Sequence, residues 1–234
     1  MMGDIIVFGA SRGLGAALAE GVPEPGEKVW CVSRTQPALL SNADGRERAW
    51  IAHDLADPTE LAAALSPVAC GRLDLLVYNA GIWERASLEK TDDKELRAIV
   101  DVNLTSLLIS VRTLLPALRR GRDPRVVLIG STCGLENEGT TSVAYAATKF
   151  AVRGAAHALR EVLRSDGISA TVISPGSMAT DVALGEGTEA ALVRHKGKRI
   201  PVSDLVETVR FLRRLSRAAC VKEIDMPALA DTDA

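Results

Sequence analysis

The sequence predicts an α/β protein in one domain, residues 1–234, with a doubly wound and mostly parallel sheet of seven strands flanked by helices. Short apolar runs alternate with longer helical patterns along the chain, as in successive strand–helix–strand units. The first run, Ile5 to Phe8, has no polar interruption, which is typical of a parallel strand covered by helices on both faces. A length of 234 residues suits one domain. Together these observations predict a Rossmann fold.

Each element follows from a local pattern. Apolar runs bounded by turn residues predict strands at residues 5–8, 28–32, 49–52, 73–78, 125–129, 168–173 and 221–224. Apolar residues at helical spacing predict helices at residues 16–20, 58–65, 92–119, 143–164 and 203–215. In the second of these helices, Asp57 is the expected N-cap and Pro58 the first helical residue. Because the carboxyl ends of parallel strands meet at one edge of the sheet, we expect the ligand site there.

The composition argues against several classes of protein. The formal net charge is −2, so there is no basic excess to bind nucleic-acid phosphates. No apolar run approaches the roughly 18 residues of a membrane span, and the N-terminus lacks a signal-peptide pattern. Four scattered cysteines and three isolated histidines argue against a metal site and a disulfide framework. We therefore expect a cytoplasmic protein with no nucleic-acid, membrane or metal partner.

A glycine-rich loop joins the first predicted strand to the first predicted helix. Gly9 permits a tight turn, Gly13 lets the backbone approach a pyrophosphate, and Gly15 lets helix and strand pack closely. The helix N-terminus then offers free N–H groups to the phosphates. A loop that only turns the chain is the alternative, but the strand–turn–helix context favours a dinucleotide site.

The end of the second predicted strand bears on the choice of dinucleotide. It carries Ser33-Arg34, where an NAD-binding protein usually has an acidic residue for the ribose hydroxyls. Arg12 and Arg34 are instead suited to clasp a ribose 2′-phosphate, because guanidinium groups match phosphate geometry. NADP is therefore the favoured cofactor, and NAD is the alternative. The alternative without a ligand is that both arginines are solvated side chains near a turn.

A tyrosine and a lysine share one helix face. Tyr145 and Lys149 are four positions apart in the predicted helix 143–164. An unperturbed phenol has a pKa of about 10, and a nearby ammonium is expected to lower the pKa of Tyr145, making it a usable acid or base. Ser131 and the turn at residues 79–81 follow predicted strands and reach the same sheet edge. The pair alone is a weak signal, and these neighbours strengthen it.

Taken together, the motifs resemble the short-chain dehydrogenase/reductase family, in its small single-domain branch, over nearly the whole chain. They follow the family's order: Gly9-x-x-x-Gly13-x-Gly15, Asp54-Leu55, Asn79-Ala80-Gly81, Asn103, Ser131, Tyr145-x-x-x-Lys149, and Pro175-Gly176 with Thr180. Each motif is weak, whereas the ordered set is specific. Two features depart from the pattern. Phe8 stands where the family usually has threonine, and the segment at about residues 180–201, where the family folds its substrate lid, is short.

The resemblance implies a role for each matching residue. Tyr145 would be the general acid or base at the substrate oxygen, Lys149 would lower its pKa and bind the nicotinamide ribose, and Ser131 would hydrogen-bond the substrate. Asn103 would hold a water that relays protons from Lys149. The implied catalytic set is Asn103, Ser131, Tyr145 and Lys149. The implied cofactor-binding set is Gly9, Ser11, Arg12, Gly13, Leu14, Gly15, Ser33, Arg34, Asp54, Leu55, Asn79, Ala80, Gly81, Asn103, Tyr145, Lys149, Pro175, Gly176, Met178 and Thr180.

The resemblance also implies an activity and an assembly. The expected protein is an NADP-dependent oxidoreductase that interconverts a small-molecule carbonyl and a secondary alcohol by hydride transfer. An NAD-dependent enzyme of the same family and a non-catalytic dinucleotide-sensing protein are the alternatives. Because residues 143–164 are rich in alanine and the family uses this helix for subunit contacts, we expect a homodimer or homotetramer. A monomer that packs these small residues on its own sheet is the alternative.

Three further features have a structural interpretation beside a functional one. Asp74 is expected to bond a neighbouring loop rather than the adenine side of a cofactor. The basic segment 195–199 is interpreted as a solvated loop, with attraction of an acidic substrate as the alternative. Trp83, Glu84 and Arg85 either shape the rim of the pocket or are surface residues.

Overall fold

The seven-stranded parallel sheet predicted from the sequence is confirmed. The computed structural model describes residues 3–38, 45–136 and 140–230. The strands of this described part are β1 Asp4–Phe8, β2 Lys28–Ser33, β3 Glu47–Ala52, β4 Leu73–Tyr78, β5 Arg125–Ile129, β6 Ser169–Pro175 and β7 Glu223–Met226. They pair in parallel in the order β3-β2-β1-β4-β5-β6-β7. The strand order therefore reverses direction between β1 and β4, which is the switch point of a doubly wound Rossmann-like fold.

Helices cover both faces of this sheet. Those of the described residues are α1 Gly13–Gly21, α2 Leu61–Ala64, α3 Ser66–Ala69, α4 Asp93–Val100, α5 Ser106–Arg119, α6 Val143–Leu163, α7 Thr188–His195 and α8 Val202–Arg214. The apolar residues of α1 and α8 form a core layer on one face of the sheet. Those of α2, α3, α5 and α6 form the core layer on the other face. Covering both faces explains why the central strands carry almost uninterrupted apolar runs.

The single helix predicted at residues 58–65 is wrong in its boundaries. Asp57 does not cap a helix that begins at residue 58; its Oδ1 instead accepts hydrogen bonds from the backbone N–H and hydroxyl of Thr59. This local turn competes with helix formation, so α2 begins only at Leu61. A second short helix, α3, then starts at Ser66, with Pro67 in its first turn, where a missing N–H costs no helical bond. The other predicted boundaries lie within three residues of those observed, and the largest difference is the start of α1, at Gly13 rather than residue 16.

The helix predicted at residues 92–119 is interrupted at its centre. Asp92 caps α4 by accepting a hydrogen bond from the N–H of Glu95 at 2.8 Å. A π-helical turn, Asp101–Thr105, then separates α4 from α5. Such turns insert a residue into the helical ladder and are frequent at functional sites.

The same helical stretch meets the length and hydropathy criterion for a membrane-spanning helix, which was not expected from the sequence. Asp93–Arg119 is long and apolar enough, by length and composition, to cross a membrane, and an 18-residue window within it has a mean hydropathy of 1.5. Its apolar side chains Leu107, Val111 and Leu114 are buried in the core layer. Packing of α5 against β4 and α3 therefore accounts for this hydropathy.

An aromatic pair closes the carboxyl ends of β1 and β4. Phe8 and Tyr78 are buried and stacked, with ring centroids 5.0 Å apart. The hydroxyl of Tyr78 donates to the carbonyl of Val102 in the π-helical turn at 2.6 Å. Burial raises the pKa of Tyr78 far above its ordinary value. Phe8, at the position where the resemblance implies threonine, is thus a core residue, and Tyr78 ties β4 to the π-helical turn.

Candidate active site

The loops that carry the predicted site residues gather at the carboxyl edge of the sheet. Gly9 follows β1, Asn79 follows β4, and Gly176 follows β6. Ser131 comes two residues after the end of β5. Asp74, in contrast, lies near the amino end of β4, where it accepts hydrogen bonds from the N–H groups of Gly3 and Arg122, as the structural interpretation expects.

The glycine loop is too tightly folded for side chains at two of its positions. A Cβ atom on Gly15 would lie 2.0 Å from the carbonyl oxygen of Gly9. Gly9 has a φ of +76°, and a Cβ there would lie 2.9 Å from Cα of Ala80. The amide of Asn79 donates to the carbonyl of Gly9 at 3.4 Å. The loop therefore packs directly on the turn at residues 79–81.

The start of α1 is suited to an anion. The helix begins at Gly13, with Arg12 as the N-cap residue in extended conformation. Within the described part of the chain, no side chain caps this end, and the first turn contains no acidic residue. The backbone N–H groups and the positive end of the helix dipole are thus available to a phosphate. Thr180 stands over this turn, because a Cβ on Gly13 would lie 3.1 Å from the Cβ of Thr180.

An arginine and an aspartate face each other beyond β2 and β3. Arg34 Nη1 lies 3.8 Å from Asp54 Oδ2, and the Arg34 side chain is 69% exposed. Exposed pairs of this kind contribute little, so the guanidinium can take another partner at small cost. Ser33 is buried, and its hydroxyl donates to the carbonyl of Thr35, which shapes the turn that presents Arg34.

Leu55 lies beside this pair and belongs to the core. Its side chain is buried, and its carbonyl accepts a hydrogen bond from the hydroxyl of Ser106 at 2.7 Å. On the other side of the glycine loop, Ser11 lines a small cavity of about 50 Å³ together with Pro37, Ala38 and the arginine Arg48. The region around the loop and the end of β2 therefore offers both space and positive charge.

Tyr145 lies in the first turn of α6 and is partly exposed. Burial raises the pKa of Tyr145, and a hydrogen bond with the Ser131 side chain opposes this rise. Ser131 is itself buried, and its hydroxyl accepts from the N–H of Cys133 at 3.2 Å. The direction of the Tyr145 shift is thus opposite to the lowering predicted from the sequence, because desolvation outweighs the opposing hydrogen bond.

Lys149 is buried one helical turn after Tyr145. Its Nζ donates to the carbonyl of Ile129 at 2.9 Å and lies 5.3 Å from the ring centroid of Tyr145. Burial lowers the pKa of Lys149 to about 8. A Cβ on Gly81 would lie 3.5 Å from this Nζ, so the turn at residues 79–81 is next to the ammonium group. The structure therefore brings together the predicted Ser131, Tyr145, Lys149 and Gly81.

Asn103 occupies the π-helical turn and connects two loops. Its Oδ1 accepts from the N–H of Ile82, and its Nδ2 donates to the carbonyl of Ile82, both at 2.9 Å. Nδ2 also donates to Thr148 Oγ1, which in turn donates to the carbonyl of Tyr145 at 2.7 Å. The carboxamide is thus engaged by protein groups at both ends. It ties the segment after β4 to α6 through Thr148, which follows Tyr145.

Two residues near Tyr145 and Lys149 were not identified from the sequence. A Cβ on Gly134 would lie 2.8 Å from the carbonyl carbon and oxygen of Lys149, so the turn after Ser131 packs directly on α6. Glu84 is 7% exposed, and its carboxyl oxygens accept from the N–H groups of Ala144 and Tyr145. The interpretation of Glu84 as a surface residue is therefore wrong. A glycine beside the serine motif was a usable signal, whereas nothing local marked Glu84.

The segment after β6 forms the far side of the site. The N–H of Gly176 donates to the carbonyl of Met226 at 2.9 Å, and Met178 pairs with Ile200 in an isolated parallel bridge. Pro175 ends β6. The helix α7 lies within the predicted lid, and no helix was predicted there. His195 Nε2 lies 2.8 Å from Asp181 Oδ1, so the basic segment 195–199 is partly held by a hydrogen bond rather than wholly solvated.

Within the described ranges, no group of three or more histidine, cysteine, aspartate or glutamate side chains is arranged to hold a metal ion. The donors at the site are instead hydroxyl, ammonium and backbone groups. Such donors suit an organic cofactor with phosphate and ribose oxygens, and they suit a polar substrate group.

Comparison with known proteins agrees with the resemblance that the sequence motifs show. A family model described as short chain dehydrogenase matches residues 4–190. The chain is 29% identical to the 3-oxoacyl-[acyl-carrier-protein] reductase FabG of Escherichia coli (strain K12), over 88% of each protein. It is 32% identical to FabG of Vibrio harveyi, over 80% of this chain and 78% of that protein. A metagenomic short-chain oxidoreductase solved in complex with NADP superposes with a TM-score of 0.78 at 28% identity, over 96% of both chains.

The family model covers most of the chain, and the fold and the order of the motifs agree with it. The resemblance inferred from the motifs is thereby confirmed. The chain belongs to the short-chain dehydrogenase family of oxidoreductase enzymes.

Proposed function

We propose that the protein is an NADP-dependent oxidoreductase that interconverts a carbonyl and a secondary alcohol, with Tyr145 as general acid and base. The observation that carries the proposal is the grouping of Ser131, Tyr145 and Lys149 beside the turn at residues 79–81. Burial keeps Tyr145 a protonated phenol at neutral pH. This is the form that donates a proton to a carbonyl oxygen during reduction.

Each side chain of the group has a separate task in this proposal. Ser131 hydrogen-bonds the substrate oxygen and orients it toward the hydroxyl of Tyr145. Tyr145 gives its proton to that oxygen in reduction and takes it back in oxidation. The ammonium of Lys149, 5.3 Å from the centroid of the phenol ring, stabilises the phenolate left behind. The bound nicotinamide supplies or accepts the hydride.

Asn103 is proposed to support the relay of protons that returns a proton to Tyr145 through Lys149. Both ends of its carboxamide are bonded to Ile82 and Thr148. A water that relays protons from Lys149 would therefore be held by backbone carbonyls of the π-helical turn, or by the second lone pair of Asn103 Oδ1. The carboxamide itself keeps the turn in place.

The residues present fit a dinucleotide. The tight glycine loop and the uncapped start of α1 would hold the pyrophosphate, through the N–H groups at Gly13, Leu14 and Gly15. The other residues proposed to contact the cofactor are Gly9, Ser11, Ser33, Asp54, Leu55, Asn79, Ala80, Gly81, Asn103, Tyr145, Lys149, Pro175, Gly176, Met178 and Thr180. Arg12 and Arg34 would bind a ribose 2′-phosphate, which supports NADP over NAD.

The function is tested by supplying purified protein with NADPH or NADH and a panel of ketones, aldehydes and 3-oxoacyl thioesters. The thioesters are included because the relatives from Escherichia coli and Vibrio harveyi are 3-oxoacyl-[acyl-carrier-protein] reductases. We expect oxidation of NADPH by at least one carbonyl, with a higher kcat/KM than for NADH. Binding of NADPH without turnover on any carbonyl would instead support the non-catalytic dinucleotide-sensing alternative.

The cofactor preference is tested separately with Arg34→Ala. Because loss of a charge-assisted hydrogen bond costs about 1.5–3 kcal/mol, the KM for NADPH should rise by about 10- to 100-fold. The KM for NADH should change little. Arg217→Ala, at an exposed arginine after α8, is the matched control and should leave both values unchanged. A wild-type preference for NADH would overturn the 2′-phosphate argument.

The proposed enzyme uses residues 1–234 as one domain, with residues 180–201 as its substrate lid. Its partner is a small carbonyl or alcohol, and its proposed compartment is the cytoplasm. Leu108 on α5 and Phe150 on α6 are each 45% exposed, and α6 is rich in alanine. These features support a homodimer or homotetramer that buries the outer face of both helices.

The assembly is measured by light scattering coupled to size exclusion. We expect the mass of two or four chains for the wild type and a smaller assembly for Phe150→Glu, because a carboxylate would be buried in the interface. Val193→Glu, at a 70% exposed residue of α7, is the control and should keep the wild-type mass. A single-chain mass for the wild type would contradict the proposal.

A further inference from the structure

Glu84 lies in the segment after β4, yet its carboxyl group ends at the first turn of α6. One oxygen accepts from the N–H of Ala144 at 2.5 Å, and the other accepts from the N–H of Tyr145 at 3.3 Å. Within the described part of the chain, the side chain of the N-cap residue Ser142 makes no capping bond. Glu84 therefore satisfies two of the free N–H groups at the start of this helix from 60 residues away.

The same segment contacts Tyr145 in two further ways. The indole of Trp83 packs edge-on against the phenol ring, with centroids 6.3 Å apart. The backbone of Ile82 is joined through Asn103 and Thr148 to the carbonyl of Tyr145. The N–H, the carbonyl and the ring of Tyr145 are thus each held, directly or through one network, by residues 82–84.

We propose that Glu84 is a positioning residue for the reaction: its carboxylate holds the first turn of α6 so that the hydroxyl of Tyr145 stays against Ser131. This inference rests on the proposed function, since it requires Tyr145 to transfer the proton. Hydrogen bonds from backbone N–H groups to a carboxylate are charge-assisted, and a negative group is favourable at a helix N-terminus. A displacement of about 1 Å at a reacting group can cost about 100-fold in rate.

Two substitutions at Glu84 separate the bonds from the bulk of the side chain. In Glu84→Gln, one oxygen still accepts an N–H, but the amide nitrogen meets the other N–H donor without bonding it. In Glu84→Ala, both N–H groups lose their acceptor, and a cavity remains. The positioning role therefore predicts an order of kcat in which wild type exceeds Glu84→Gln, which exceeds Glu84→Ala.

Glu95 provides a matched control. Its Oε1 accepts from the N–H of Arg85, so it anchors the same segment, but its bond does not involve α6. We expect Glu84→Ala to lower kcat by about 10- to 100-fold, as for a small displacement of the reacting hydroxyl. The KM for the carbonyl and the Kd for NADPH should stay within about threefold, because Glu84 contacts neither in this proposal. Glu95→Ala should keep the wild-type kcat.

Hydrogen exchange gives a readout that does not depend on turnover. The amide protons of Ala144 and Tyr145 should exchange faster in both Glu84 variants and at the wild-type rate in Glu95→Ala. If Glu84→Ala does not fold, Glu84→Gln carries both measurements. A wild-type kcat in the folded Glu84 variants would overturn the positioning role, even where their melting temperature is lower.

The failure of this inference is distinguishable from failure of the proposed function. Tyr145→Phe is measured in the same assay. Wild-type turnover of Tyr145→Phe would reject the proposed function and the positioning role with it. Loss of turnover in Tyr145→Phe together with unaffected Glu84 variants would reject the positioning role alone.

Discussion

Replacement of Tyr145 by phenylalanine is expected to lower kcat for carbonyl reduction by about 10²- to 10⁴-fold, the usual contribution of a general acid. The substitution removes one hydroxyl and keeps the ring. The ring contacts with Trp83 and with the ammonium of Lys149 are therefore retained. The backbone bond from Tyr145 to Glu84 is also unchanged, so the shape of the site is kept. The affinity for NADPH, measured by fluorescence titration, should therefore stay within a few fold of wild type.

The other tyrosine of the chain is the matched control for this change. Tyr78→Phe removes the buried hydrogen bond to the carbonyl of Val102. It should lower the free energy of unfolding by about 1–3 kcal/mol, because a buried carbonyl loses its donor. Its kcat should nevertheless stay close to wild type. Unchanged turnover in Tyr145→Phe would remove this residue from the mechanism.

Replacement of Lys149 by methionine is expected to have opposite effects on activity and stability. The kcat should fall by at least about 100-fold, because the phenolate of Tyr145 loses its stabilising charge. The melting temperature at pH 7 should rise. Lys149 is buried, and burial lowers its pKa from 10.5 to about 8, so the folded protein holds its ammonium at a cost. Methionine has a similar length and no charge.

The stability difference should depend on pH in a defined direction. Between about pH 8 and 10.5, the unfolded chain binds more protons at Lys149 than the folded protein does. The contribution of this residue to wild-type stability therefore rises with pH through that window. The advantage of Lys149→Met should be largest below pH 8 and shrink above it, measured by thermal unfolding from pH 7 to 10. The control is Lys90→Met, at an exposed lysine, which should change neither the melting temperature nor its pH dependence. A melting temperature of Lys149→Met that stays below that of the wild type would contradict the burial argument.

Local patterns were sufficient for most of the fold. The strands β4 and β5 have the boundaries predicted from their apolar runs, because the central residues of a strand covered on both faces are apolar and polar residues stand near its amino end. The break between α2 and α3 was not predicted, since it depends on competition between the Asp57 turn and the helix. The π-helical turn was missed for a different reason. Its residue Asn103 is held by Ile82, which is distant in sequence.

In the site, too, local patterns predicted which residues take part, whereas contacts between segments distant in sequence were not predicted. Ser131, Tyr145 and Lys149 could be named because each follows a predicted strand or shares a predicted helix face. The direction of the Tyr145 pKa shift was predicted wrongly, because spacing shows that an ammonium is near but not how much solvent is lost. The role of Glu84 was left open between the rim of the pocket and the surface, because its partners lie 60 residues further along the chain.

Which strand or helix carries each reactive group, and where the chain must turn on glycine, can be read from the amino-acid sequence. These are local properties, set by the alternation of apolar runs and by backbone conformations that exclude a Cβ atom. The three-dimensional packing, in contrast, buries Lys149 beside the carbonyl of Ile129 and places the carboxyl group of Glu84 at the first turn of α6. Burial and hydrogen-bond partners of this kind arise only when separate loops pack together at one edge of the sheet.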